Sequence, residues 1–211
     1  MIRDYKDVLI NTIAESNEVN REYQIYFIYD GYNYTVNIYK SNGTGTYTEV
    51  AGDVFSYGAF HTHPFVPERW MRFNDSINYN YPNLKKFIDD KFNIDYKINV
   101  YFPSWGDYID GFTFQEYTSY VSHLFNTGSV DRYVGVLGEG VKNYSGTGKY
   151  YIYYLKSTEL PEAKQWIYNL YREYLGYVNE NDSNDYSIIN YIGGTVTFLN
   201  KYGKTILISE L

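Results

Sequence analysis

The chain has 211 residues, long enough to bury a core without covalent staples, and no cysteine, which excludes disulfide frameworks, cysteine-ligated zinc, iron–sulfur clusters and thiol nucleophiles. Its 18 Lys and Arg against 25 Asp and Glu leave a net charge of −7 with no basic run, so binding to nucleic-acid phosphates is not expected. Charges run through residues 1–20, and no window approaches about eighteen uncharged apolar residues, so neither a signal peptide nor a membrane span is expected. The 29 tyrosines fit strand positions that pack on one side and stay wet on the other, although aromatics also enrich at surfaces that bind partners.

In chain order, Asp4 to Glu18 has apolar residues at Val8, Leu9 and Ile13 and acids in its first turn, the pattern of a short amphipathic helix. Tyr23 to Tyr29 and Tyr32 to Tyr39 are aromatic and β-branched around Asp30-Gly31, which predicts a hairpin. After a loop at Ser41 to Gly45, Val54 to His63 predicts a strand that stops at Pro64. Phe65 to Pro82 reads as an exposed connection with at most one helical turn, and Asn83 to Asn93 as a helix carrying Leu84, Phe87, Ile88 and Phe92. Ile98 to Phe102 and Tyr108 to Phe114 predict a second hairpin around the turn formers Pro103 to Asp107.

Beyond residue 117, Val134 to Val141 and Lys149 to Lys156 predict strands around a Ser145 to Gly148 turn. Pro161 to Val178 is a helix with Trp166, Ile167, Leu170 and Tyr174 on one stripe. A polar break at Asn179 to Asp185 precedes a last hairpin, Thr195 to Asn200 with Thr205 to Ser209, around Lys201 to Lys204. This order predicts an α+β fold, a mixed and mostly antiparallel sheet flanked by helices. Residues 1–117 form a first domain, and 118–211 an α+β extension that is either separate or packed on it.

With no cysteine, a metal must use His, Asp or Glu. Two of the three histidines are His61 and His63, and on a strand residues i and i+2 share a face, so both imidazoles can aim at one ion. The bland alternative is a pair of strand-end histidines bonded to backbone. His123 reads as a helix-surface or core residue. Gly135, Gly138 and Gly140 have the wrong order for a dinucleotide loop and lack a βαβ unit around them, and no phosphate-cradling loop or nucleophile elbow occurs.

Phe60-His61-Thr62-His63-Pro64 closes a strand some forty residues after Asn20-Arg21-Glu22-Tyr23 opens one. Together these runs resemble the JAB/MPN/JAMM metalloprotease superfamily, whose signature is a strand-heading Glu, then His-x-His-Pro, then Ser-x-x-Asp. They are most similar to the JAB-like domains of Rhs-type polymorphic toxins. The resemblance covers about residues 4–115 and implies a JAB/MPN-like, cytidine-deaminase-like layout. It also implies a Zn2+ cofactor on His61 and His63, Glu22 as general acid/base, and hydrolysis of an amide bond in a protein or peptide substrate by a peptidase or isopeptidase.

For the third ligand two aspartates compete. Ser104-Trp105-Gly106-Asp107 keeps the motif but starts some forty residues after Pro64, whereas Arg72-Phe73-Asn74-Asp75 stands at the usual spacing with Arg in the Ser place. Position just before the Asn83 to Asn93 helix favours Asp75, and the Ser104 to Asp107 run reads as a plain turn. Without the Ser, the alternative is a catalytically inactive JAB-fold module for binding or assembly in a phage or toxin system. A further alternative is an aromatic-rich structural protein in which the histidines only pack. The expected location is the cytoplasm, or delivery within a phage or secreted assembly.

Overall fold

The computed structural model describes residues 2–29, 32–40, 56–68, 102–104, 107, 133–142, 145–156 and 203–211, with further positions at 71, 86, 89–90, 162, 165–166, 169–170, 172–173, 193–195 and 197–198. A short 3-10 turn, Ile2–Tyr5, leads into helix α1, Lys6–Val19. Leu9, Thr12, Ile13 and Ser16 are its buried positions, the i, i+3, i+4, i+7 stripe of a helix lying on a sheet. Asn20 ends α1 in the left-handed region (φ 52°), which Asn tolerates better than most residues, and the chain turns directly into the first strand.

The fold is α+β with a mixed sheet of six strands: β1 Tyr23–Tyr29, β2 Tyr34–Lys40, β3 Ser56–Thr62, β4 Tyr133–Lys142, β5 Ser145–Lys156 and β6 Lys204–Leu207. The order across the sheet is β2-β1-β3-β4-β5-β6, antiparallel at every pairing except β3 with β4. The strands drawn from beyond residue 117 therefore continue the sheet begun by β1 to β3.

Each face of this sheet carries its own apolar cluster. On one, Leu9 and Ile13 of α1 pack on Ile25, Phe60, Leu137, Ile152 and Tyr154, with Ile208 of the C-terminal turn closing the layer. On the other, Val136 and Tyr153 pack with Phe102 and Phe198. Neighbouring residues Val136 and Leu137 serve opposite clusters, as the two-residue period of a strand requires.

Several expected elements differ from the sequence reading, and the Thr205 to Ser209 strand already ends at Leu207, where the 3-10 turn Ile208–Glu210 begins. Thr195 to Asn200, expected as a strand for its β-branched run, is helical at Thr195 and Thr197, and β6 pairs with β5 instead of with this segment. Burial decides it: Thr195, Thr197 and Phe198 are covered, and a Cβ on Gly194 would meet the Pro103 carbonyl oxygen at 2.0 Å, so the segment lies directly on the backbone that precedes Ser104. Ser145 to Gly148, expected as a turn, forms the start of β5, with Val141 opposite Gly146 and Lys142 opposite Ser145. Glu139 holds that end by accepting the Gly148 N–H at 2.8 Å, over a bulge between Glu139 and Val141.

In the predicted Asn83 to Asn93 helix, Lys86, Asp89 and Asp90 are helical, as are Glu162, Gln165, Trp166, Asn169, Leu170, Arg172 and Glu173 in the Pro161 to Val178 helix. Asp30-Gly31, the Ser41 to Gly45 loop, His123 and the Tyr108 to Phe114 strand lie outside the described residues. Among the described residues, no helix is long and apolar enough to cross a membrane.

Candidate metal centre

The His-Thr-His end of β3 divides its side chains between the two faces. Thr62, fully buried, faces α1: its hydroxyl lies 2.6 Å from that of Ser16 and accepts the Tyr23 N–H at 2.9 Å. Ser16 in turn donates to the Arg21 carbonyl at 2.6 Å. The alternation that sends Thr62 to α1 sends His61 and His63 to the face opposite the helix. Beyond His63, the chain is pinned by its own N–H to the Leu137 carbonyl (2.9 Å) and by the Phe65 N–H to the Asn17 side chain (2.8 Å).

On that face the two Nε2 atoms stand 3.0 Å apart. Asp107 meets both: Oδ1 lies 2.8 Å from His61 Nε2 and Oδ2 3.2 Å from His63 Nε2. The three side chains form the group of potential metal ligands found among the described residues. Among the described residues the third potential ligand is Asp107, the aspartate of the intact Ser-x-x-Asp; Asp75, which the sequence favoured, lies outside the described residues.

The Ser104 to Asp107 run, expected as a plain turn, has a definite function in the fold. Asp107 is helical, and Ser104 caps that helix start reciprocally: its backbone N–H donates to Asp107 Oδ2 at 2.6 Å while its hydroxyl receives the Asp107 N–H at 3.3 Å. The hydroxyl also lies 2.8 Å from Oδ2. This capping box fixes the carboxylate rotamer, so that both oxygens are presented to the histidines. The signal was legible as Ser-x-x-Asp, but a capping box and a metal-binding motif share that spacing.

Phe102, two residues before Ser104, supplies the second support. Its carbonyl lies 2.9 Å from His63 Nδ1, which selects the tautomer with hydrogen on Nδ1 and leaves a lone pair on Nε2. Burial alone would push the Asp107 carboxyl up, but the facing charges and hydrogen bonds of His63 and His61 hold it well below the usual carboxylate range. Once both imidazoles are neutral, one potential ligand atom from each residue converges here, all within 4.8 Å of one another, and each Nε2 faces its own oxygen of the carboxylate. Ligand atoms about 2.0–2.2 Å from a tetrahedral zinc stand about 3.3 Å apart, so the cluster fits such an ion after a slight expansion. Two imidazoles and one carboxylate leave the fourth position of a tetrahedron free, as in catalytic sites.

Glu22 is 8% exposed, between α1 and β1. Gln24 pairs with His61, so carrying the β1–β3 register two residues back sets Glu22 across from His63, on the strand face that carries both histidines. Glu22, His61 and His63 therefore share one face, and the fold brings to the histidines the rival motif's Asp107 with Ser104, together with Phe102, which the sequence did not single out. Comparison with protein families, curated proteins and solved structures finds no match to this chain.

Proposed function

We propose that the chain is a zinc-dependent hydrolase of amide bonds, a peptidase or isopeptidase of the JAB/MPN/JAMM type, with His61, His63 and Asp107 as ligands and Glu22 as general acid/base. The observation that carries this reading is the convergence of both Nε2 atoms and the Asp107 carboxylate at one point, each backed by a hydrogen bond or strand pairing. Zinc held there would polarise a substrate carbonyl and acidify a coordinated water. Glu22 would take the proton as water oxygen attacks the carbonyl carbon and return it to the amine as the C–N bond breaks. Phe102 and Ser104 would keep the two ligands they touch from turning away.

The reading of an inactive binding module rested on a missing Ser. With Asp107 as the proposed third ligand, the Ser of the motif is Ser104, three residues before it and 2.8 Å from its carboxylate, which supports the active reading.

The test is zinc content and cleavage. The purified chain is expected to hold about one zinc per molecule, and His61→Ala or His63→Ala to lose it, since two remaining protein ligands hold the ion poorly. Glu22→Gln should retain zinc and lose cleavage of peptide and isopeptide substrates. Stoichiometric zinc in the double histidine variant would overturn the ligand set. Equal cleavage by wild type and Glu22→Gln would overturn the role of Glu22.

A further inference from the structure

On the sheet face that carries His61 and His63, the strands beyond β3 lead to a second feature. His61 pairs with Val136, and Val136 with Tyr153; one step along, His63 stands level with Gly138, which pairs with Tyr151. These rows keep to one face, so Tyr151 and Tyr153 lie two strand spacings from the histidines, about 10 Å at about 4.8 Å each. There an open cavity of about 440 Å³ is lined by Phe102, Val141, Tyr151, Tyr153, Phe198 and Thr205. Phe102 belongs to both places: its carbonyl faces His63, and its ring stacks on Phe198 (centroids 4.3 Å apart) and meets Tyr153 edge-on (5.3 Å).

The glycines of β4, which fit no dinucleotide loop, acquire a reason here. Gly138 puts no side chain between His63 and Tyr151 in their row. At Gly140 a Cβ would meet the Tyr151 ring at 2.8 Å and Thr147 Oγ1 at 2.9 Å, so bare backbone lets that ring lie across the floor of the cavity. The rim carries the cation Lys149 and the hydroxyls of Thr147 and Thr205, and among the described residues no carboxylate lines it, although the chain as a whole is acidic.

We propose that this cleft is a specificity subsite of the metal centre, taking an aromatic side chain of an extended polypeptide substrate about three residues from the bond that lies over the metal. The spacing follows from about 10 Å divided by the rise of about 3.3 Å per extended residue. Aromatic walls in edge-on and stacked arrangements favour another ring over an aliphatic chain, and the volume falls in the range of small-ligand pockets, about 300–1,000 Å³. The inference rests on the hydrolase reading, and it names which polypeptides that site would choose.

The experiment measures binding to the zinc-loaded full chain by calorimetry. The probes are acetohydroxamate and two series of short glycine peptides anchored by a hydroxamate, one extending to the acyl side and one to the amine side. Each peptide bears Phe or Ala at the third residue from the anchor. Phe is expected to bind at least tenfold tighter than Ala in one series. Thr205→Trp, a substitution at an exposed residue of the edge strand that fills the cleft, should abolish that preference while zinc content and acetohydroxamate affinity stay unchanged. A preference below threefold in both series, or one that survives Thr205→Trp, overturns the subsite with the metal centre intact. A wild-type chain that takes up no zinc or acetohydroxamate overturns the hydrolase reading, and the subsite with it.

Discussion

In the proposed function a single carboxylate, Asp107, both takes part in a helix cap and holds the metal, and substitutions around it separate the two tasks. Asp107→Asn keeps the size of the side chain but removes its charge, so zinc retention should collapse in equilibrium dialysis. Ser104→Ala should cost about 1 kcal/mol of stability as a lost cap and weaken zinc binding less, since the ligand remains but its rotamer is freed. Asp75→Asn should leave zinc binding unchanged. Asp75→Asn releasing zinc while Asp107→Asn retains it would reject the ligand set. Acid stability of the zinc-free protein gives a further check. Asp107 is held low in the fold, so its contribution is present above the unfolded carboxylate value of about 3.9 and is lost as pH falls through its lower folded value. Urea midpoints measured from pH 6 to pH 2 should fall less steeply in Asp107→Asn than in wild type.

At the level of elements, the metal-site face is set by what happens on the other one. Thr62 joins the C-terminal turn of α1, through Ser16, to the first residue of β1, through the Tyr23 N–H. That knot fixes the rotation of the end of β3 and hence the direction of the residues on either side of it. Thr62→Val conserves shape but strands the Tyr23 N–H in a buried place, while Ser16 keeps its bond to the Arg21 carbonyl, and this should cost about 1–3 kcal/mol. Denaturant unfolding would measure this. Zinc affinity should fall along with stability, although Thr62 faces away from the site; unchanged affinity would show that β3 is oriented by pairing alone. Asn17 extends the same support, donating to Glu139 of β4 at 2.8 Å while accepting the Phe65 N–H after the His-x-His-Pro run.

For the molecule as a whole, the sheet couples the two ends of the sequence. β3 lies between β1 and β4, so the strand bearing both histidines is interior only when residues 133–142 are present. The α1 core likewise needs Leu137, Ile152 and Ile208 beside Leu9, Ile13, Ile25 and Phe60. Arg3 Nε bonds the Leu211 carbonyl at 2.6 Å, tying the two described ends to each other. Expression of residues 1–117 alone is therefore expected to give no cooperative thermal transition and no stoichiometric zinc, whereas the full chain shows both. A cooperatively folding, zinc-binding fragment would show that β4 to β6 are dispensable to the centre.

The local pattern determined what depends on neighbours in sequence. The apolar spacing of Val8, Leu9 and Ile13 with acids in the first turn specified α1, the aromatic and β-branched run specified β1, and the two-residue period of His61 and His63 aligned two imidazoles. It favoured Asp75 over Asp107 from position along the chain, but such position says nothing about which carboxylate returns to the histidines through space, and the fold brings Asp107 there. The Ser104 capping box and the Phe102 carbonyl became meaningful only once they were set beside His63. Nor could propensity see that Thr195 and Thr197 would be buried as helix, or that Ser145 to Gly148 would pair as strand. In both places long-range packing and pairing outweigh local preferences of at most about 1 kcal/mol per residue, and such contacts exist only in the folded chain.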